Sequence, residues 1–163
     1  MTRDDAGSGA LSTETLVGAW LLVGWTIEYP ATARVTQPFG PQPQGLLVYT
    51  GDGRMSAVMQ RPDRPALSRA DVHAVSDAEK AAAFSSYLHY AGRWHVDDGC
   101  VIHDVDCAMN PNLLGTRQAR RASLRGDVLE LVAEEALQAP GHVRLHRIVW
   151  RRATRAGSRD RRC

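Results

Sequence analysis

Short tight turns recur along this sequence between segments in which apolar and polar residues alternate, and this recurrence constrains the fold most. The three clearest turns are Gly51-Asp52-Gly53, Asp97-Asp98-Gly99 and Arg125-Gly126-Asp127. Glycine beside aspartate favours the tight turns that join neighbouring antiparallel strands. Each turn therefore predicts a β-hairpin, and the three together predict a sheet built mainly from antiparallel neighbours.

Alternation and an excess of β-branched and aromatic residues extend this pattern to eight predicted strands. They cover residues 19–29, 45–50, 54–60, 92–96, 100–109, 116–124, 128–133 and 143–151. Closing such a meander removes its exposed edges, and eight strands leave an interior wide enough for one small ligand. The predicted fold class is all-β, an eight-stranded antiparallel up-and-down barrel.

Two helices are predicted beside the strands. Ser12 can cap a short N-terminal helix of about residues 13–18. Ser76 and Glu79 have the spacing of a capping box, and apolar residues recur at helical spacing after them. This predicts one helical insertion, at about residues 77–90, between the third and fourth strands.

Length and composition limit the domain organisation. A chain of 163 residues suits one domain, expected at 12–152, with flexible tails at 1–11 and 153–163. The net charge of +2 gives no strong attraction to nucleic acid, and no apolar run is long enough for a membrane span. Without a signal-peptide pattern, the expected compartment is the cytoplasm.

Cysteine and histidine spacing predicts neither a disulfide framework nor a metal site. The three cysteines show no regular spacing, and no CxxC motif occurs. The histidines have no ligand spacing, and no glycine-rich loop follows a nucleotide-binding pattern. We therefore expect a protein that uses no cofactor and no metal.

Strand alternation assigns candidate side chains to the interior, because successive residues of a strand point to opposite faces. On the fifth strand Val105 marks the apolar face, so His103 and Cys107 are expected to point inward. On the sixth strand Leu124 favours an interior position for Arg120. The other predicted pocket residues are Tyr49, Met55, Ala57, Trp94, Gln118, Leu129, Leu131 and His146.

The two candidate catalytic residues each have a structural alternative. His103 can relay protons near neutral pH, or it can be a histidine hydrogen-bonded inside the core. Arg120 can hold a carboxylate or an enolate oxygen, or it can belong to a buried ion pair. Cys107 beside His103 suggests a Cys–His pair, although a buried apolar cysteine is the more common situation.

The first strand is apolar on both faces. Alternation places Trp20 and Leu22 on one face and Val23, Trp25 and Ile27 on the other. A barrel needs only one apolar face per strand, so the second face is expected to lie under a helix or in a homodimer interface.

Three stretches resemble a bacterial lipocalin-like domain family. They are GAWLLVGW at 18–25, GLLVYTGDGRMSAVMQRPDRP at 45–65, and GRWHVDDGCVIHDVDCAMNPNLLGTRQARR at 92–121. The resemblance spans about residues 16–152, and some members of this largely uncharacterised family lie beside natural-product biosynthesis genes. It implies a lipocalin-like barrel for a hydrophobic ligand, with Trp20 at its floor and Arg152 close to the indole ring.

Two functions follow as hypotheses. The first is an enzyme that cyclises or isomerises a hydrophobic, oxygenated, polyketide-like metabolite without a cofactor, with His103 moving protons and Arg120 stabilising negative charge. The second is a carrier in which the same polar groups only orient the ligand. Both predict a small hydrophobic molecule as the partner, without nucleic acid or membrane, and they allow a homodimer.

Overall fold

The computed structural model describes residues 11–137 and 142–154 and shows nine strands, two α-helices and three 3₁₀ turns. The helices are α1 (Thr13–Leu16) and α2 (Asp77–Ser85), and the 3₁₀ turns are Pro30–Thr32, Val72–Ala74 and Pro111–Leu113. The strands are β1 (Gly18–Tyr29), β2 (Arg34–Thr36), β3 (Gln44–Tyr49), β4 (Arg54–Gln60), β5 (Tyr87–Asp97), β6 (Cys100–Ala108), β7 (Arg117–Arg125), β8 (Val128–Ala136) and β9 (Val143–Arg152).

Eight of these strands form one closed antiparallel barrel. From β3 to β9 each strand pairs with the next in sequence, and β1 pairs with both β3 and β9. The short strand β2 adds to the far end of β1, in a segment where the sequence predicts only a loop. The predicted all-β, up-and-down barrel with one helix before it and one helical insertion is confirmed.

One end of the barrel is closed by Trp20 and Arg152. The indole of Trp20 is fully buried and donates a hydrogen bond to the Leu16 carbonyl at 2.9 Å. The Arg152 guanidinium lies 4.1 Å from the centre of the indole ring and donates to the carbonyls of Val17 and Thr15. One arginine thus joins the last strand to the first helix and to the barrel floor, as the family resemblance implies.

The helical insertion is shorter than predicted. Helix α2 begins at the expected capping box but ends at Ser85, and β5 begins at Tyr87. Residues 87–93 pair along the whole length of β4, and these interstrand hydrogen bonds outweigh a weak local preference for helix. Phe84 remains 49% exposed, so the apolar spacing in α2 does not mark a face packed on the barrel.

A β-bulge at Val23 changes which side chains of β1 face inward. Leu22 pairs with Trp150 and Gly24 with Val149, so β1 has one extra residue at Val23. The bulge reverses the alternation. Trp25 consequently faces the interior, as Trp20 does, and the prediction that they lie on opposite faces is wrong.

The exposed apolar surface of β1 is therefore smaller than the sequence suggests. Leu21 and Val23 are exposed, whereas Ile27 is buried. The case for a homodimer through Val23, Trp25 and Ile27 is weakened accordingly, and the homodimer stays a prediction. No helix in the described part of the chain is long and apolar enough to cross a membrane.

A second bulge, at Asp106, changes the faces of β6. Ala91 pairs with Cys107 and Gly92 with Val105, which leaves Asp106 as the extra residue. A side chain on Gly92 would overlap the carbonyl oxygen of Asp104, so this glycine permits the close approach of the bulged strand. Beyond the bulge Cys107 is exposed, and its predicted inward orientation is wrong.

The predicted flexible tails, 1–11 and 153–163, lie almost wholly outside the described residues, as does Cys163. The described residues, from Leu11 to Leu137 and from His142 to Thr154, include all eight strands of the barrel.

Replacing Arg152 by methionine should lower the free energy of unfolding by about 2–4 kcal/mol, because two charge-assisted hydrogen bonds and a cation–π contact are lost. The measurement is urea denaturation, read as a lower midpoint at an unchanged slope. Arg151 is the matched control. It is exposed and lies 4.0 Å from Asp127, so Arg151→Met should change stability by less than about 0.5 kcal/mol. Equal effects of the two substitutions would contradict this role of Arg152.

Candidate functional site

A cavity of about 500 Å³ opens at the end of the barrel opposite Trp20 and Arg152. It lies where β4 and β8 end and where β5, β7 and β9 begin. Its lining comprises Trp25, Met59, Leu88, Tyr90, Asn110, Leu113, Gln118, Arg120, Ala133, Glu134, Glu135, Arg144, His146 and Ile148. Seven of these fourteen residues are apolar or aromatic and seven are polar or charged, so a small molecule in the cavity would meet both apolar surface and hydrogen-bonding groups.

The closed half of the barrel contains no part of this cavity, because packed core side chains fill it. Six predicted pocket residues are buried in this core and do not line the cavity: Tyr49, Met55, Ala57, Trp94, Leu129 and Leu131. They do point inward, but side chains from all round the barrel fill the space between them. In an eight-stranded barrel the interior is narrow enough for this. The cavity occupies only the open half.

Gln118, Arg120 and His146 line the cavity, whereas His103 lies beneath it. His103 is 1% exposed and its imidazole lies between two phenols. Its Nε2 is 2.7 Å from the Tyr49 hydroxyl, and its Nδ1 is 3.0 Å from the Tyr90 hydroxyl. Tyr90 lines the cavity, so a chain of three hydrogen-bonded side chains leads from the core to the site.

The direction of these hydrogen bonds follows from burial. Tyr49 is fully buried, and among the described residues its hydroxyl has a hydrogen-bond partner only in His103. Its proton is therefore best satisfied by donation to Nε2. The imidazole then carries its proton on Nδ1 and donates it to the Tyr90 oxygen. This leaves the Tyr90 hydroxyl proton free to donate into the cavity.

Burial, and after it the positive charge of Arg120, lowers the pKa of His103 to about 3. Burial also holds the pKa of Tyr49 well above its usual range. Both groups are therefore neutral at pH 7. The expectation that His103 itself exchanges protons with a ligand near neutral pH is not supported, because Tyr90 lies between it and the cavity.

Arg120 is a cationic residue of the cavity that has no charged partner among the described residues. It forms no ion pair with any residue in 11–137 or 142–154, and its buried Nε has no hydrogen-bond partner there. Arg147 on β9 offers the contrast, since it donates to Glu28 at 2.8 Å and to Glu130 at 2.7 Å. The alternative that Arg120 serves a buried ion pair is therefore wrong.

Glu135, Arg144 and His146 form a charge-balanced cluster at the mouth of the cavity. Arg144 donates two hydrogen bonds of 2.8 Å to the Glu135 carboxylate, and His146 Nε2 lies 2.9 Å from the same group. The His146 ring stacks on Trp25, with centres 6.0 Å apart. Hydrogen bonding to Arg144 lowers the pKa of Glu135, so this carboxylate stays ionised and occupied.

Sequence reasoning misses several residues of the site for identifiable reasons. Alternation predicts Trp25 outward because no turn signal marks the bulge at Val23. Tyr90 and Leu88 are predicted as helix. One signal could have found them: Leu88, Tyr90 and Gly92 alternate as in a strand, and the structure pairs this segment with β4. No cluster of three metal-ligating side chains occurs among the described residues.

A closed antiparallel barrel with a cavity that combines apolar walls and polar groups defines a class of small-ligand-binding β-barrels. The profile of the lipocalin-like domain family matches residues 17–153, and the chain belongs to that family. It is 34% identical over 109 residues to the 4'-hydroxy-3'-methoxypropiophenone carrier protein ppsC of Aspergillus oryzae. That alignment covers 62% of this chain and 98% of the relative. No solved structure matches the chain.

The neutral state of buried His103 should make the protein less stable in acid. The pKa of His103 is about 3 in the folded protein, against 6.5 for an ordinary histidine, so between these values the unfolded chain binds one more proton. The free energy of unfolding should therefore fall by about 1.4 kcal/mol per unit as the pH drops from 6.5 towards 3. Urea denaturation across this range measures the slope.

The control is His103→Gln, which can still donate and accept a hydrogen bond but does not titrate. The difference between the two stability curves removes the contribution of the carboxylates, which both proteins share. Above pH 6.5 the curves should run parallel, and below it the wild type should lose stability faster. Parallel curves over the whole range would show that His103 is not held neutral.

Proposed function

We propose that the protein binds a small, mainly apolar, oxygenated molecule such as an aryl ketone in this cavity, and carries it unchanged. The observation that carries the proposal is Arg120, an unpaired cation in an apolar cavity. A partly buried cation without a partner is costly, and a ligand oxygen would offset that cost. The volume of about 500 Å³ lies within the usual range for small-ligand sites.

The polar groups of the cavity suit a ligand with a carbonyl oxygen. Arg120 and the free hydroxyl proton of Tyr90 are both donors, and Gln118 adds an amide. Trp25, Leu88 and Ile148 provide an apolar wall for a ring or a chain. These donors would bind oxygen atoms of an aryl ketone, and the apolar walls would pack against its ring.

The relative from Aspergillus oryzae supports the same class of ligand. Its name describes a carrier for 4'-hydroxy-3'-methoxypropiophenone, an aromatic ketone with a phenol and a methyl ether. The aligned 109 residues span nearly the whole of that relative. We therefore extend to this chain the carriage of an oxygenated aromatic ketone, as part of the proposal.

Titration with 4'-hydroxy-3'-methoxypropiophenone should show saturable binding of one molecule per chain. Arg120→Met should weaken the affinity by about 10- to 100-fold, because a charge-assisted hydrogen bond is lost. Calorimetry measures both constants. Tryptophan fluorescence gives an independent signal, since Trp25 lines the cavity while Trp20, Trp94 and Trp150 are buried in the core.

Arg121 is the matched control, since it neighbours Arg120 in β7 but is exposed on the outer face. Arg121→Met should bind the ketone as the wild type does. Loss of the fluorescence change in Trp25→Phe, with retained heat of binding, would assign the ligand to this cavity. Absence of saturable binding, or equal affinities for Arg120→Met and Arg121→Met, would contradict the proposal.

Catalysis is a second candidate, and the chain Tyr49–His103–Tyr90 is the observation that favours it. Tyr90 can donate a hydrogen bond to a carbonyl oxygen while Arg120 stabilises the negative charge that develops there. A cofactor-independent isomerisation or cyclisation through an enolate would use both groups, while water in the open cavity accepts the proton that leaves the carbon beside the carbonyl. In this version Tyr90, in place of His103, is the residue that touches the substrate.

Enolisation can be detected directly, because it exchanges hydrogens on the carbon beside the carbonyl for deuterium in D₂O. If the protein is an enzyme of this kind, 4'-hydroxy-3'-methoxypropiophenone incubated with it in D₂O should exchange these hydrogens faster than in buffer alone. Mass spectrometry measures the exchange. Tyr90→Phe should reduce that rate by about 10²- to 10⁴-fold, with affinity changed by less than about 10-fold. Exchange no faster than in buffer would leave carriage as the function.

A further inference from the structure

We propose that the cavity binds its ligand as an anion. A phenol conjugated to a carbonyl group would lose its proton on entering, and Arg120 would neutralise the phenolate. This inference rests on the proposed function and deepens it, since it names the ligand class as acyl phenols with the hydroxyl conjugated to the carbonyl. The phenol O–H bond breaks, its electron pair stays on oxygen, and the proton leaves to the solvent.

The charges around the cavity leave Arg120 uncompensated. The polar and titratable groups around it are Tyr90 on β5, His103 beneath the cavity on β6, Asn110 after β6, Gln118 on β7, Glu134 and Glu135 on β8, and Arg144 and His146 on β9. Glu135 is occupied by Arg144 and His146. Glu134 is exposed at the rim, where solvent screens its charge. The inner end of the cavity, around Arg120, therefore has a net positive charge.

The buried polar groups near Arg120 supply no negative charge. His103 is neutral and lies between two phenols, and Tyr49 is held in its neutral form by burial. Burial is the main cause of the pKa shifts of Tyr49, His103 and His146. The positive charge of Arg120 is the second cause for His103 and a smaller one for Tyr49 and His146, and in each case it acts to lower the pKa. A ligand phenol in the cavity would experience the same charge.

A conjugated acyl phenol fits this floor better than a neutral ketone does. Its phenolate spreads negative charge over the ring to the carbonyl oxygen, so one end can meet Arg120 and the other can accept from a donor such as Tyr90. The ring remains flat and apolar, which suits the walls formed by Trp25, Leu88 and Leu113. A low local dielectric strengthens the attraction between an anion and an arginine.

The test is an absorbance titration of 4'-hydroxy-3'-methoxypropiophenone with the wild-type protein, because phenolates absorb at longer wavelength than phenols. The pKa of the bound phenol should fall by at least about one unit, a tenfold shift in ionisation. In weak buffer, binding at a pH below the pKa of the free phenol should release a proton. The same ketone with its phenol O-methylated is the control, and should bind at least about tenfold more weakly.

Variants of Arg120 separate a charge effect from a structural one. Arg120→Lys keeps the charge and should keep the phenolate absorbance, whereas Arg120→Gln should bind the ketone only in its neutral form. Tyr90→Phe should weaken binding and retain the phenolate signal. Circular dichroism and thermal denaturation establish that each variant is folded. The wild-type titration tests the inference even if a variant fails to fold.

The outcomes distinguish this inference from the proposed function. Binding of the phenol and its methyl ether with equal affinity, without phenolate absorbance or proton release, would overturn the anion and leave carriage intact. If neither compound binds, both the proposed carrier function and the binding of the ligand as an anion are overturned. A phenolate signal that persists unchanged in Arg120→Gln would show that another group holds the charge, and would also overturn the inference.

Discussion

Antiparallel pairing of β1 with β9 is the constraint on which the rest of the structure depends. It closes the sheet, so every strand of the barrel has a hydrogen-bonded neighbour on each side. To pair with both β3 and β9, β1 curves round the barrel, and the bulge at Val23 accommodates the bend. That bulge turns Trp25 towards the cavity, while Trp20 before it closes the opposite end, so one strand contributes to both barrel closure and the site.

The interior shows how a polar group is kept in a narrow apolar barrel. Among the described residues, His103 is the buried polar side chain of the core, and both ring nitrogens have phenolic partners. A neutral imidazole needs one donor and one acceptor, which Tyr49 and Tyr90 provide. The consequence is functional, because both nitrogens of His103 are satisfied within the core and the Tyr90 hydroxyl, together with Arg120, is left to address a ligand.

Much of the fold was accessible from local patterns, and the site only in part. Turn glycines and alternation predicted all eight barrel strands and the inward position of His103 and Arg120. They failed at Cys107, Trp25 and the end of α2. Each failure has a nonlocal cause: two bulges reverse alternation without a turn signal, and pairing with β4 converts residues predicted as helix into strand. Local sequence carries little information about such pairing.

The sequence by itself determined the architecture: hairpin turns and alternating apolar residues suffice for an antiparallel barrel, because each acts within a few residues along the chain. Only the tertiary structure decided where the barrel is filled and where it is open. Met55, Ala57, Trp94, Leu129 and Leu131 point inward as predicted, yet they pack against one another instead of lining space. Whether an inward side chain meets a neighbour or a cavity depends on every strand around the barrel at once.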